Sequence, residues 1–194
     1  GAGIMASVRH ALAARGPPVP AGHALRSYVG PPLVDAFMTI GGVPRDEAEL
    51  LVAAYRERYA GEAAVLELYP GAASAVRDLS ARRRLALATS KPEPLAREIL
   101  HRLGIDDHFA QICGATVDGS RRTKADVIAS ALDRCGADPT TTVMVGDRVH
   151  DVDGAAIHGI PTVGVTWGYA RPGELEGAVR LVDTYDELLA YLTS

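Results

Sequence analysis

The chain has 194 residues, of which 47% are hydrophobic and 23% charged, with a formal net charge of -4. That composition describes a folded chain of one domain, or one domain with a small insert, and excludes a disordered one. It offers no basic field for nucleic acid and no apolar run that spans a bilayer, and its two cysteines are too few for a disulfide framework.

The first residues, "GAGIMASVRHAL", lack the layout of a signal peptide and read as an amphipathic helix. Ile4, Val8 and Leu12 recur every four residues over 4–14, and "RGPPVP" ends that helix. "GPPLVDAFMTIGG" predicts a short helix entered through prolines and closed by glycines. "PRDEAELLVAAYRERY", 44–59, predicts the clearest helix, with Ala48, Leu51, Val52, Tyr55 and Tyr59 on one stripe. No strand is expected before residue 84.

From there helices and apolar runs alternate. Helix 71–81 leads to "LALAT" (85–89), a short run of the buried parallel-strand type. Helix 92–103 follows, with Leu95, Ile99, Leu100 and Leu103 inward. Next come strand 110–113, helix 123–135, strand "TVMV" (142–145), helix 149–158, strand 161–165, strand "RLV" and helix 184–193. The alternation predicts an α/β fold, a doubly wound parallel sheet covered on both faces, with ligands at the carboxyl ends of its strands. Arg82–Arg84 and Arg121–Arg122 read as solvated faces. Cys113 and Cys135 read as buried thiols suited to a reducing cytosol, so a cytoplasmic location is expected.

Three polar clusters fall at those strand ends. Asp147 follows a strand, and Asp151 stands in the first turn of the next helix, on nearly the same side. Two hard carboxylates so placed suit Mg²⁺; equally, they suit an N-cap and a first-turn acid. Thr89 and Ser90, ahead of a helix start, offer a phosphate cradle, or a cap before a helix with proline near its first turn. Lys124 opens helix 123–135 against the helix dipole. It suits a phosphate or carboxylate in the cleft, or plain solvent.

Taken together, hydroxyl, lysine and Gly-Asp-Arg-x-x-x-Asp in this order resemble the haloacid dehalogenase-like hydrolase superfamily, over residues 67–194. "YPG" (69–71), "TSKP" (89–92), "GDRVHDVDGAAIHGI" (146–160) and "GVTWGY" (164–169) resemble its phosphoglycolate phosphatase and nucleotidase branch. The resemblance implies a Rossmann-like core over 67–194 and a small helical cap over 1–66. Gly30, Pro31 and Pro32 would lie in a cap loop that closes on substrate. Thr89 and Lys124 would be catalytic, Thr89, Ser90 and Lys124 phosphate-binding, and Asp147 and Asp151 ligands of Mg²⁺.

The implied activity is Mg²⁺-dependent hydrolysis of a small phosphorylated metabolite, phosphoglycolate- or nucleotide-like, through an aspartyl-phosphate. The implied protein is a monomer or homodimer without nucleic-acid or membrane partners. A phosphomutase, or a non-catalytic phosphate- or partner-binding relative, shares most of this pattern. The family's first motif, Asp-x-Asp at the end of a central strand, has no counterpart in the chain. The expectation is therefore that roughly ten to thirty further residues, carrying that strand and the nucleophile, precede Gly1 in the natural protein.

Overall fold

The computed structural model describes residues 1–15, 17–62, 66–116 and 118–193, with the side chains of residues 23, 60 and 62 left aside. Gly16 of the expected helix break and residues 63–65 of the expected cap lie outside the described residues. The chain divides into two compact units, Gly1–Leu66 and Glu67–Ser194.

The first unit is helical. It holds α1 (Ala2–Arg15), α2 (Gly22–Leu25), α3 (Leu33–Thr39) and α4 (Arg45–Glu62). α1 and α4 pack along each other, burying Val8 and Leu12 of one and Ala48, Leu51, Val52, Tyr55 and Tyr59 of the other. The stripe read from the sequence is thus the buried face. Tyr55 and Tyr59 stack at 5.2 Å, and Tyr28 tilts against Phe37 at 5.4 Å. Gly30 precedes α3 at φ 117°, a conformation that favours glycine, and Pro32 caps α3.

The second unit contains α5 (Ala72–Ser80), β1 (Ala86–Pro92), α6 (Glu93–Arg102), β2 (Gln111–Ala115), α7 (Lys124–Cys135), β3 (Met144–Gly146), α8 (Val149–Ala156), β4 (Thr162–Val165), β5 (Arg180–Val182) and α9 (Tyr185–Thr193). Every strand pairing is parallel, as alternation predicts. The strands form two pieces, β1–β2 and β3–β4–β5. Among the described residues, β1 and β3 each have a partner on one side alone. Helices α7 and α8 hold the pieces together: Ala88 of β1 and Met144 of β3 both pack on the cluster of Ile128, Ala155 and Ile160.

This arrangement corrects the expected burial of two strands. β4 is fully buried between two neighbours, whereas no residue of β1 is buried and Val143 and Val145 are 40% and 37% exposed. The apolar runs identified strands; burial depends on what pairs with them, and that is non-local. β1 also continues past Thr89. Its register shifts between Thr89 and Pro92, so Ser90 and Lys91 bulge from the ladder before α6 begins. In α6 the fully buried positions are Ala96 and Leu100, while Leu95, Ile99 and Leu103 are half-buried.

The arginine runs are not simply solvated. Arg84 donates to the Cys135 carbonyl at 2.6 Å and Arg83 to the Leu192 carbonyl at 2.9 Å. Arg121 joins Glu93 at 2.9 Å and Ser130 at 2.7 Å. Both cysteines are free and buried, and no described helix is long and apolar enough to cross a membrane.

Candidate active site

Asp151 organises the turn after β3. It is the third residue of α8, a position from which a carboxylate reaches back to the open N–H groups at the helix start. Its Oδ2 accepts from the N–H of Asp147 at 3.1 Å and of Arg148 at 3.0 Å. Its Oδ1 meets the Lys124 ammonium at 2.7 Å. Both oxygens are therefore engaged, in a side chain only 7% exposed. Gly146 makes this possible, because a Cβ there would overlap the Asp151 side chain.

Lys124 opens α7 behind a capping box formed by Thr123 and Asp126. The dipole mismatch noted in the sequence is resolved by two acceptors, Asp151 Oδ1 and the Ala88 carbonyl at 3.0 Å. Lys124 thus ties the end of β1 to the turn after β3. Gly154 gives it room, since a Cβ there would lie 2.8 Å from Lys124 Cγ.

Asp147 is not the N-cap of α8; Arg148 holds that position. Its Oδ2 accepts from the Tyr169 N–H at 2.7 Å, and Gly168 permits the approach, because a Cβ there would overlap Asp147. No hydrogen bond to Oδ1 is seen among the described residues. This is the oxygen that could hold a cation. Mg²⁺ retains several waters and takes one or two carboxylates, so Asp147 could serve as a direct ligand, with Asp151 setting its turn. Among the described residues no group of three or more His, Cys, Asp or Glu side chains could hold a metal by itself.

Thr89 stands at the last regular pair of β1, opposite Gly114. Its hydroxyl accepts from the Lys91 N–H at 3.3 Å, closing the bulge that carries Ser90. Gly114 packs so closely that a Cβ would sit 2.5 Å from the Lys91 carbonyl. The structure thus brings Lys124, Asp147 and Asp151 into one network and places Ala88, next to Thr89, at its edge. Gly30, Pro31 and Pro32 lie in the helical unit.

Several neighbours lie within motifs quoted from the sequence but were given no role there. Lys91 is half-buried, and burial followed by the charge of Lys124 lowers its pKa. Tyr69 is pushed up to about 12 by burial, by a hydrogen bond with Tyr169 and by the charge of Asp147. His150 is lowered, first by burial and then by Arg148. Arg148 is buried and pairs with Glu174 at 2.8 Å. Lys91 and Arg148 adjoin residues that were singled out, but nothing in the sequence links positions 148 and 174.

A parallel α/β core with a hydroxyl, a partly buried lysine and a carboxylate turn at its strand ends is compatible with phosphoryl-transfer chemistry. The sequence profile of the haloacid dehalogenase-like hydrolases matches residues 2–165, and the chain belongs to that family. It is 46% identical to tyrosine-protein kinase PtkA of Mycobacterium tuberculosis over 94% of this chain and 63% of that protein. The chain thus spans 63% of the length of that relative. It is 37% identical to a 5'-nucleotidase of Pseudomonas aeruginosa over 89% of this chain and 79% of the other. The crystal structure of a predicted phosphatase from Clostridium acetobutylicum superposes with a TM-score of 0.93 at 31% identity, covering 98% of this chain and 90% of that one.

Proposed function

We propose that this chain carries most of a Mg²⁺-dependent phosphatase for a small phosphorylated metabolite, phosphoglycolate- or nucleotide-like, located in the cytoplasm. The observation that supports it best is the Lys124 ammonium, fixed between the Ala88 carbonyl and Asp151, one turn from an Asp147 oxygen open to a cation. In this reading Lys124 and the hydroxyls of Thr89 and Ser90 hold phosphate oxygens. Bound Mg²⁺ supplies charge neutralisation of the phosphoryl group. Asp151 holds the lysine and the turn in place, and Gly30, Pro31 and Pro32 belong to a loop that covers substrate.

The attacking carboxylate would come from outside the described residues, on a strand paired with the open sides of β1 and β3. The incomplete burial of β1 and the exposure of Val143 and Val145 support such a neighbour. An aspartate there would take the phosphoryl group from the ester oxygen, releasing the alcohol. Water would then attack phosphorus, releasing phosphate and restoring the carboxylate. Among the described residues no side chain replaces that group: no base is seen bonded to the Thr89 hydroxyl, and the His158 ring bonds the Ala125 carbonyl at 2.9 Å.

The 46% identity to a protein named a tyrosine kinase favours a second reading, transfer of the phosphoryl group to a tyrosine hydroxyl. The clamp and cation would be the same; the donor would be ATP, leaving as ADP, and the acceptor a tyrosine hydroxyl. The test is to assay the 194-residue chain beside the product of its complete reading frame. Both receive Mg²⁺ with p-nitrophenyl phosphate, phosphoglycolate, a nucleoside monophosphate or a sugar phosphate, and separately labelled ATP with a tyrosine peptide. Phosphate release is expected from a protein that carries the aspartate strand and not from one that lacks it. Label on tyrosine without hydrolysis supports transfer. Neither activity leaves a phosphate- or partner-binding protein, and conversion of a sugar phosphate to its isomer makes it a mutase.

A further inference from the structure

The turn bearing Asp147 is fastened at two adjacent residues to one segment of chain, 166–174. Asp147 Oδ2 takes the Tyr169 N–H at 2.7 Å. The next residue, Arg148, reaches Glu174 through Nε at 2.9 Å and Nη2 at 2.8 Å, with both side chains nearly excluded from solvent, at 5% and 6% exposure. The other Glu174 oxygen accepts from the Arg171 N–H at 2.7 Å, closing the turn at 171–174. Burial would raise the Glu174 carboxyl, but the bonds from Arg148 and Arg171 hold it below its ordinary range. Meanwhile Arg148 Nη1 is buried without a hydrogen-bond partner among the described residues. A buried ion pair with one donor unsatisfied is a poor source of stability compared with apolar packing. What it provides is fixed geometry between two segments 26 residues apart.

We propose that Arg148 and Glu174 are positioning residues. Their ion pair fixes segment 166–174 so that the Tyr169 N–H occupies one oxygen of Asp147 and turns the other outward to a divalent cation. The inference rests on the reading of Asp147 as the cation ligand. The pair touches neither cation nor substrate; it acts through Tyr169 and Asp147. Outer partners of this kind typically change metal affinity by about 10- to 100-fold when removed.

The test is Mn²⁺ binding to the full chain, followed by water proton relaxation, with thermal unfolding in parallel. Wild type should bind Mn²⁺ and Asp147→Asn should not. Glu174→Gln should weaken binding by about tenfold or more. Because a lone buried arginine could unfold that variant, the double variant Arg148→Leu/Glu174→Leu provides the decisive arm. Exchanging a buried pair for apolar side chains is often neutral for stability. This variant should unfold near the wild-type temperature and still bind Mn²⁺ weakly. Glu174→Asp, which keeps the charge, should recover part of the affinity. If wild type and Asp147→Asn bind alike, Asp147 is not the ligand, and both the reading and the inference fall. If binding depends on Asp147 but the double variant matches wild type, the positioning role alone is overturned.

Discussion

Lys124 marks where a single residue serves two purposes. From sequence, a lysine at a helix start should contribute little to folding. In the structure it neutralises a buried carboxylate, with side chains 13% and 7% exposed. In the product of the complete reading frame, Lys124→Ala should therefore abolish turnover and also destabilise the fold, by about 3–5 kcal/mol, because Asp151 is left as an unpaired buried charge. Chemical denaturation of that variant checks the cost. A loss under about 1 kcal/mol would mean the pair is solvent-screened. Asp147→Asn should behave in the opposite way. The amide oxygen can still accept from the Tyr169 N–H, so the unfolding temperature should hold while Mg²⁺-dependent activity disappears. The types and order of Thr89, Lys124, Asp147 and Asp151 were legible in the sequence because their spacing places them at strand ends and helix starts. Glu174 and Tyr169 were not legible, because a contact across 22 or 26 residues leaves no local pattern.

At the scale of elements, local chemistry wrote the helices plainly. The stripe of α4 is buried as read, and α7 begins at its capping box and ends at Gly136 with φ 56°. Thr123→Ala should cost about 1 kcal/mol by removing the acceptor for the Asp126 N–H, measurable in urea unfolding. An unchanged midpoint would show that the cap is dispensable. The strands were legible in position but not in burial, because an apolar run cannot say whether both of its sides are paired. A comparison within the three-stranded piece tests this. Val163 is 0% exposed and Val145 is 37% exposed. In the 194-residue chain, Val163→Ala should lose about 1.5–3 kcal/mol, and Val145→Ala no more than about 0.5 kcal/mol. Equal losses would mean that the edge of β3 is already covered.

Across the whole molecule, the second unit is joined by charge as well as by its apolar clusters. Glu93, at the start of α6, meets Arg97 at 3.1 Å, Arg121 at 2.9 Å and Arg134 at 2.9 Å, linking α6, the segment before α7, and the end of α7. Burial would raise its pKa, but the bonds from Arg134, Arg97 and the Gly114 N–H win and hold it at about 2 against an ordinary 4.5. A depressed carboxyl stabilises the fold fully above its unfolded value and loses that contribution as pH falls through the folded one. The unfolding temperature should therefore fall between pH 4.5 and 2, and Glu93→Gln should flatten that slope while lowering stability at neutral pH. The proposed function requires that Lys124, the Thr89 bulge and Asp147 form one site for a phosphate and a divalent cation. Calorimetric titration of inorganic phosphate, with and without Mg²⁺, tests it most directly, because an anion and a cation bound side by side attract, and each then changes the other's affinity by the same factor. Mg²⁺ should tighten phosphate binding by about tenfold or more, and the coupling should vanish in Asp147→Asn. Phosphate affinity indifferent to Mg²⁺, or coupling that survives Asp147→Asn, would contradict it.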